Sequence, residues 1–399
     1  MSQAFSAPGK ALLAGGYLVL DPIYNAYVIA LSSRMHAVIE SQPIQKYSSI
    51  VVKSPQFDGE WQYLGTNEIN DRKNPFVEAS IKTVLAYVRP TTNYNLQITI
   101  YSDPGYHSNE DTIRKESHNG KRTFYYHNTP IGEVPKTGLG SSAGLVSVIT
   151  TALMSHFKPG SSIDILHNLS QIAHCLAQKK IGSGFDVAAA IYGSIQYRRF
   201  QPQLVNQVLE SNLEPKLLKT VVEQKWEFNH ESCALPPQTK LLMGDIKGGS
   251  ETPKMVSKIL QWKKDQPKES SEIYNQLNTA NSNFIKAITE VNIPQINESL
   301  KQIRKGLSNL TQMADVPVEP PIQTHLLDNL SLLKGCIGGT VPGAGGYDAI
   351  ALLVLSEYVD EIKSETSTNP EKYNNVTWLD IHEEAEGIRI EDVEDYVGL

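Results

Sequence analysis

"EVPKTGLGSSAGLVSVITTAL", residues 133–153, sets Pro135, two glycines and two adjacent serines directly before an apolar run. An ordinary surface loop has no need of that mixture, but a ligand-binding helix start does. The first turn of a helix leaves backbone N–H groups without partners and carries partial positive charge, which suits a phosphate. Glycines let the backbone approach without a side chain in the way, and a hydroxyl adds a donor or a magnesium ligand. Gly138, Gly140, Ser141 and Ser142 meet those needs, flanked by Lys136, Leu139 and Ala143. Taken by itself, the loop also reads as a serine-capped helix after a flexible turn. It contains no Gly-Lys-Ser/Thr, so it is not a P-loop of the Walker type.

Working outward, Val146, Ile149, Leu153 and Phe157 keep helical spacing after the loop. Ile165, Leu166, Leu169, Ile172, Ala173 and Leu176 do the same in a next helix, with Ser161–Ser162 as its N-cap. "GSGFDVAAAIYGSIQYRRF" (182–200) then predicts a glycine turn, a short helix starting near Asp186, and a strand. Upstream, "SAPGKALLAGGYLVLD" (6–21) reads as a short strand, a Pro-Gly turn and a second strand, and 26–40 continues with β character. A helix is expected over 75–88, and the polar insert 102–127 carries an Asn119-Gly120 hairpin signal.

A softer region over 201–236 marks the expected domain boundary. Beyond it come a strand at 239–246 and helices at 253–264, 271–291, 295–313 and 321–334. A glycine loop flanked by strands follows at 336–356, then a late strand at 376–381. The expectation is two α+β domains, 1–215 and 216–399, each with a glycine-rich loop. A length of 399 residues fits two cores rather than one.

A net charge of −7 argues against a nucleic-acid-binding surface. Cys175, Cys233 and Cys336 lie far apart, as expected of reduced thiols rather than a disulfide framework. His107, His118 and His127 are too loosely spaced for zinc. The start lacks a signal-peptide pattern and no apolar run reaches about 18 residues, so a cytoplasmic protein without a membrane partner is expected. Its assembly is left open between monomer and homodimer.

Three further stretches bear chemistry. Lys10 in "SAPGK" either points its ammonium at phosphate oxygens or is a solvated turn lysine. Asp186 after "GSG" is either a functional carboxylate or a helix cap, and "VPGAGGYDAI" (341–350) is a ligand loop or a plain turn. In combination, "SAPGK", "PxxxGLGSSA" and "PGAGGYDA" resemble the three ordered motifs of the GHMP kinase superfamily. That superfamily includes galactokinases, homoserine kinases, mevalonate kinases and phosphomevalonate kinases. The resemblance spans residues 5 to about 355 and is strongest to the fungal phosphomevalonate kinases. Mevalonate kinases and galactokinases typically carry Gly-Glu-His where this chain has Gly15-Gly16-Tyr17, a departure that disfavours both.

The resemblance implies an α+β, two-domain GHMP kinase fold, with an N-terminal nucleotide domain like ribosomal protein S5 domain 2 and a ferredoxin-like C-terminal domain. It implies transfer of the ATP γ-phosphoryl group to 5-phosphomevalonate, a small-molecule substrate, with Mg²⁺ as cofactor. Lys10 and Asp186 would be catalytic. Lys136 and residues 138–143 would cradle ATP, with Ser142 on Mg²⁺. Tyr17, Lys247, Arg198 and Gly345 would meet the acceptor, with Lys180, Arg199 and His107 as further cationic candidates. Residues 170–185 lack the acidic metal ligand that mevalonate kinases carry upstream of this aspartate. The alternatives are a mevalonate kinase, another GHMP small-molecule kinase, or an inactive ATP-binding sensor. A Rossmann dehydrogenase would need G-x-G-x-x-G after the first strand, and residues 7–16 do not supply it.

Overall fold

The structure is a computed structural model and describes residues 2–64, 67–68, 73–108, 111–246 and 252–399. The first half is built on two long antiparallel strands, β1 (Ser2–Ala14) and β2 (Ala26–Ser41), followed by β3 (Ser49–Ser54), β4 (Gly59–Leu64) and β5 (Asn67–Glu68). Helix α1 (Pro75–Val88), strand β6 (Asn95–Ser102) and a hairpin of β7 (Thr112–Glu116) and β8 (Thr123–His127) complete the approach to the glycine–serine loop. Then come α2 (Ser141–Phe157), α3 (Ile163–Gln178), α4 (Phe185–Tyr192) and β9 (Ile195–Arg198). Helices α5 (Gln203–Glu210) and α6 (Pro215–Glu223) and strand β10 (Asn229–Ser232) close this half. The sheet runs β10-β9-β2-β6-β3-β4-β5 with β1 on β2; β3 lies parallel to β6 and the other pairings are antiparallel.

The second half holds β11 (Thr239–Asp245), α7 (Thr252–Asp265), α8 (Pro267–Thr289), α9 (Ile293–Ala314), α10 (Pro321–Ser331), β12 (Cys336–Thr340), β13 (Ala349–Leu355), α11 (Val359–Thr368) and β14 (Thr377–Trp378). Its antiparallel sheet runs β12-β13-β11-β14, with α9 and α10 packed on β12.

Local chemistry explains why the elements start where they do. Asn74 caps α1 by accepting from Phe76 and Val77 N–H, with Pro75 at the first helical position, and Ser162 caps α3 by accepting from Ile165 N–H. Helix α2 is buried on all sides from Ala143 to Met154, packed against β1, β2, α1 and α3. A helix buried all round is an interior helix, so the loop preceding it is mounted on an element of the domain's core.

The fold departs from the sequence expectations at three places. The Pro8-Gly9 pair is no turn: β1 runs straight through it, and the pairing register jumps there from Pro8↔Arg34 to Gly9↔Leu31. The bulge gives β2 two extra residues where Pro8 has no N–H to offer the ladder. The region 201–236, expected to hold the domain boundary, is ordered, with α5 and α6 packed on α3 and β10 paired with β9. The first sheet therefore extends past residue 215 to Ser232. Lastly, the tail returns to that sheet, with β15 (Glu383–Glu384) on β2 and β16 (Arg389–Glu391) on β1. The strand expected at 376–381 shortens to Thr377–Trp378.

Candidate active site

The middle of β1, the starts of α2 and α4, and the loop between β12 and β13 enclose a cavity of ≈ 650 Å³. Lys10 and Asp186 both line it. Lys10 is held to the glycine loop twice, its backbone N–H donating to Leu139 O at 3.0 Å and its Nζ to Gly138 O at 2.7 Å. Nζ also lies 5.6 Å from the centre of the Phe185 ring. Desolvation lowers the Lys10 pKa, opposed by attraction to Asp186. Asp186 sits in the first turn of α4, where its Oδ1 accepts from Val187 N–H at 2.9 Å.

Gly140 is the hinge of this arrangement. It starts α2 in the left-handed region at φ +85°, and a Cβ placed there would lie 3.1 Å from Lys10 Cε and 3.8 Å from Asp186 Cβ. The cradle is therefore open because the residue is glycine, and any side chain would press on Lys10 and touch Asp186. The first-turn amides of Ser141 and Ser142 have no carbonyl four residues back within the helix to bond.

The Ser142 hydroxyl lies 3.1 Å from Nε2 of His174, a buried residue of α3 that itself lines the cavity. Among the described residues, no group of three or more His, Cys, Asp or Glu could hold a metal ion. One hydroxyl and one carboxylate suit Mg²⁺, which keeps waters and phosphate oxygens as its remaining ligands.

The third motif is stitched to the first. Tyr17 OH donates to Ala344 O at 2.8 Å, and Gly343 N–H donates to Leu12 O at 3.4 Å. Gly346 N–H donates to Val318 O at 2.9 Å, and a Cβ on Gly345, at φ +72°, would fall 2.1 Å from that same oxygen. Tyr17 adopts a positive φ of 61°, uncommon for a side-chain-bearing residue, and its hydroxyl bond helps hold it there.

The cationic candidates separate by strand parity and loop position. Arg199 is buried and lines the cavity, with Nη1 on Leu20 O and Nη2 on Gly182 O, both at 2.6 Å. Its buried Nε has no protein partner. Arg198, one residue earlier on β9, is exposed and does not line the cavity, because successive strand residues point to opposite faces. Arg198, expected to meet the acceptor, therefore lies outside the cavity, and Arg199 is the arginine that lines it.

Lys180 lines the cavity. Lys136 is exposed, lies outside the lining, and pairs as an isolated bridge with His107, a buried residue whose pKa desolvation pulls down to about 4. Leu139 and Ala143 are buried and act as supports of the loop. Lys247 lies outside the described residues, between the cavity-lining Met243 and Thr252.

His174 was not singled out by the sequence reading, although a signal existed. His167, Gln171, His174 and Gln178 form a polar stripe at positions i, i+4, i+7 and i+11 of the helix. They form two close pairs, with Gln171 Nε2 3.0 Å from His167 Nε2 and Gln178 Nε2 3.2 Å from His174 Nε2.

The comparisons agree with this geometry. Residues 112–194, which contain the glycine loop, α3 and Asp186, match the model of the GHMP kinases N terminal domain. The phosphomevalonate kinase of Candida albicans is 57% identical, with all of both chains covered. The peroxisomal phosphomevalonate kinase of Arabidopsis thaliana is 29% identical over 98% of this chain and 96% of its own. The phosphomevalonate kinase of Streptococcus pneumoniae, solved with phosphomevalonate and AMPPNP, superposes with a TM-score of 0.70 at 21% identity, covering 96% of this chain and 99% of that one. Sharing more than half its residues with a relative of matching length, on a shared two-domain fold, the chain belongs to the phosphomevalonate kinases of the GHMP kinase superfamily.

Proposed function

We propose that the enzyme transfers the γ-phosphoryl group of ATP to the phosphate of 5-phosphomevalonate, giving 5-diphosphomevalonate and ADP. One observation carries the site assignment: Lys10, Gly140 and Asp186, from three separate segments, meet at a single point of the cavity wall. A phosphate monoester has a second pKa of about 6, so near neutral pH the attacking oxygen is already largely anionic. A general base is then of little use. The obstacle is repulsion between two anions and the charge spread over a loose transition state.

Lys10 answers that obstacle directly, with its ammonium fixed to the loop carbonyl of Gly138. Desolvation that disfavours a bare ammonium makes an incoming phosphate a strongly favoured partner. The amides of residues 138–142 cradle the ATP phosphates, Ala143 N–H being taken by Gly140 O, and Ser142 and Asp186 would hold Mg²⁺, which when bound neutralises phosphate charge. Asp186 also positions Lys10 through their attraction. Arg199 and Lys180 bind the acceptor's phosphate and carboxylate, and Tyr17 and Gly345 shape the wall between the domains.

The three cysteines are free, and we place the enzyme in the cytoplasm; among the described residues no helix is long and apolar enough to cross a membrane. Coupled ADP release with 5-phosphomevalonate, against mevalonate as a control, tests the assignment. Turnover only with the phosphorylated acceptor is expected, and turnover only with mevalonate would overturn it.

A further inference from the structure

The structure joins Ser142 to a buried histidine that the reaction as described does not use. His174 is 4% exposed, and its ring stacks on Phe76 with centroids 5.7 Å apart. One nitrogen, Nε2, faces three groups: Ser142 Oγ at 3.1 Å, Gln178 Nε2 at 3.2 Å and Asp186 Oδ2 at 4.0 Å. An amide nitrogen only donates, so with Gln178 Nε2 against it the ring nitrogen accepts. The Ser142 hydroxyl, slightly the closer of the two, donates to the same single lone pair and shares it with the Gln178 amide. A hydroxyl has one proton and two lone pairs. With the proton committed to His174, the oxygen is left as a pure acceptor, the state a metal ligand requires.

We propose that His174 is a positioning residue that fixes the Ser142 hydroxyl with its oxygen free to ligate the Mg²⁺ of the bound nucleotide. Gln178, one turn along α3, fixes the ring in turn. The inference rests on the reading of Ser142 as a metal ligand, and it names the group that orients that ligand.

The test uses the full-length enzyme with AMPPNP, reading Mn²⁺ affinity from the free-ion electron paramagnetic resonance signal, and includes Ser142→Ala, His174→Leu, His174→Gln and the double variant Ser142→Ala/His174→Leu. A hydrogen bond's contribution corresponds to a loss of about three- to tenfold in Mn²⁺ affinity for His174→Leu. His174→Gln, which keeps an acceptor, is expected to hold affinity within about twofold. In the Ser142→Ala background, His174→Leu is expected to cost nothing further. Undiminished loss in that background overturns the proposal, as does unchanged affinity in His174→Leu when Ser142→Ala weakens binding. If Ser142→Ala itself leaves Mn²⁺ affinity unchanged, the metal-ligand reading fails first. A His174→Leu chain that does not fold leaves the decision to His174→Gln. Loss there equal to that of Ser142→Ala would overturn the acceptor role.

Discussion

Lys10 Nζ donates to the Gly138 carbonyl at 2.7 Å, so the ammonium and the phosphate loop move as one unit. Removing one preorganised charge donor from a reaction centre typically costs about 10²–10³ in turnover. Lys10→Met is expected to lose at least that much in kcat while ATP affinity, measured by calorimetry, changes only a few-fold.

Stability should move the other way. Lys10's pKa is lowered below 10.5 mainly by desolvation, so folding disfavours its charged form. That cost is fully present below the folded-state pKa and disappears above the unfolded one, because the unfolded chain binds more protons between the two. Lys10→Met should therefore unfold at a temperature no lower than the parent at pH 7. The difference should shrink as pH rises through the lowered pKa toward 10.5. A clear drop in melting temperature at pH 7 would contradict the assignment of desolvation as the dominant influence.

Asp186→Asn separates a positioning carboxylate from a base. If the acceptor phosphate is the group that must lose a proton, the acid limb of kcat/KM stays near a pKa of about 6 in the variant. Its alkaline limb should shift to lower pH, because Asp186 is the attraction that holds the Lys10 pKa up. Disappearance of the acid limb in Asp186→Asn would show instead that Asp186 carries the titrating proton.

Much of this was legible in the sequence for a physical reason: glycines forced into positive φ leave a local signature. Gly138, Gly140, Gly343 and Gly345 all adopt it, and they sit in the motifs that carried the reading. What escaped depended on partners distant in sequence. Two adjacent arginines give no strand parity, so Arg198 and Arg199 could not be told apart until β9 was placed in its sheet. Pro8-Gly9 resembled a turn because the bulge that accommodates it lies on the other strand, at Ser32 and Ser33. The tail strands are two and three residues long, too short for any periodicity.

Gly345→Ala probes the seam between the domains. The added Cβ would meet Val318 O at 2.1 Å at a φ that L-residues rarely adopt. Since that oxygen also accepts the Gly346 N–H, the loop has to shift as a whole. A stability loss of about 1–3 kcal/mol is expected in urea denaturation, with the larger effect on KM for the acceptor. Wild-type kinetics would remove the loop from the site.

The tail that returns to the first sheet is held by Arg34, a fully buried guanidinium of β2. Its Nε donates to Ser6 Oγ at 2.7 Å, Nη1 to Glu384 at 2.5 Å, and Nη2 to Ser6 O at 3.1 Å and to the Gly387 carbonyl. A buried pair of this kind adds little over an apolar replacement of both partners, but deleting one partner strands the other. Arg34→Met would leave the Glu384 carboxylate, 20% exposed, without the guanidinium that donates to its Oε2. Arg389 sits 3.8 Å from Glu384 Oε1 and is positioned to compensate in part. The expected loss is about 3–5 kcal/mol in urea denaturation. The double variant Arg34→Met/Glu384→Met should recover part of it, because no charge is then stranded. KM for both substrates should stay unchanged, since neither Arg34 nor Glu384 lines the catalytic cavity. A loss below about 1 kcal/mol for Arg34→Met would mean that the tail is held by its backbone pairing with β1 and β2 and not by this ion pair.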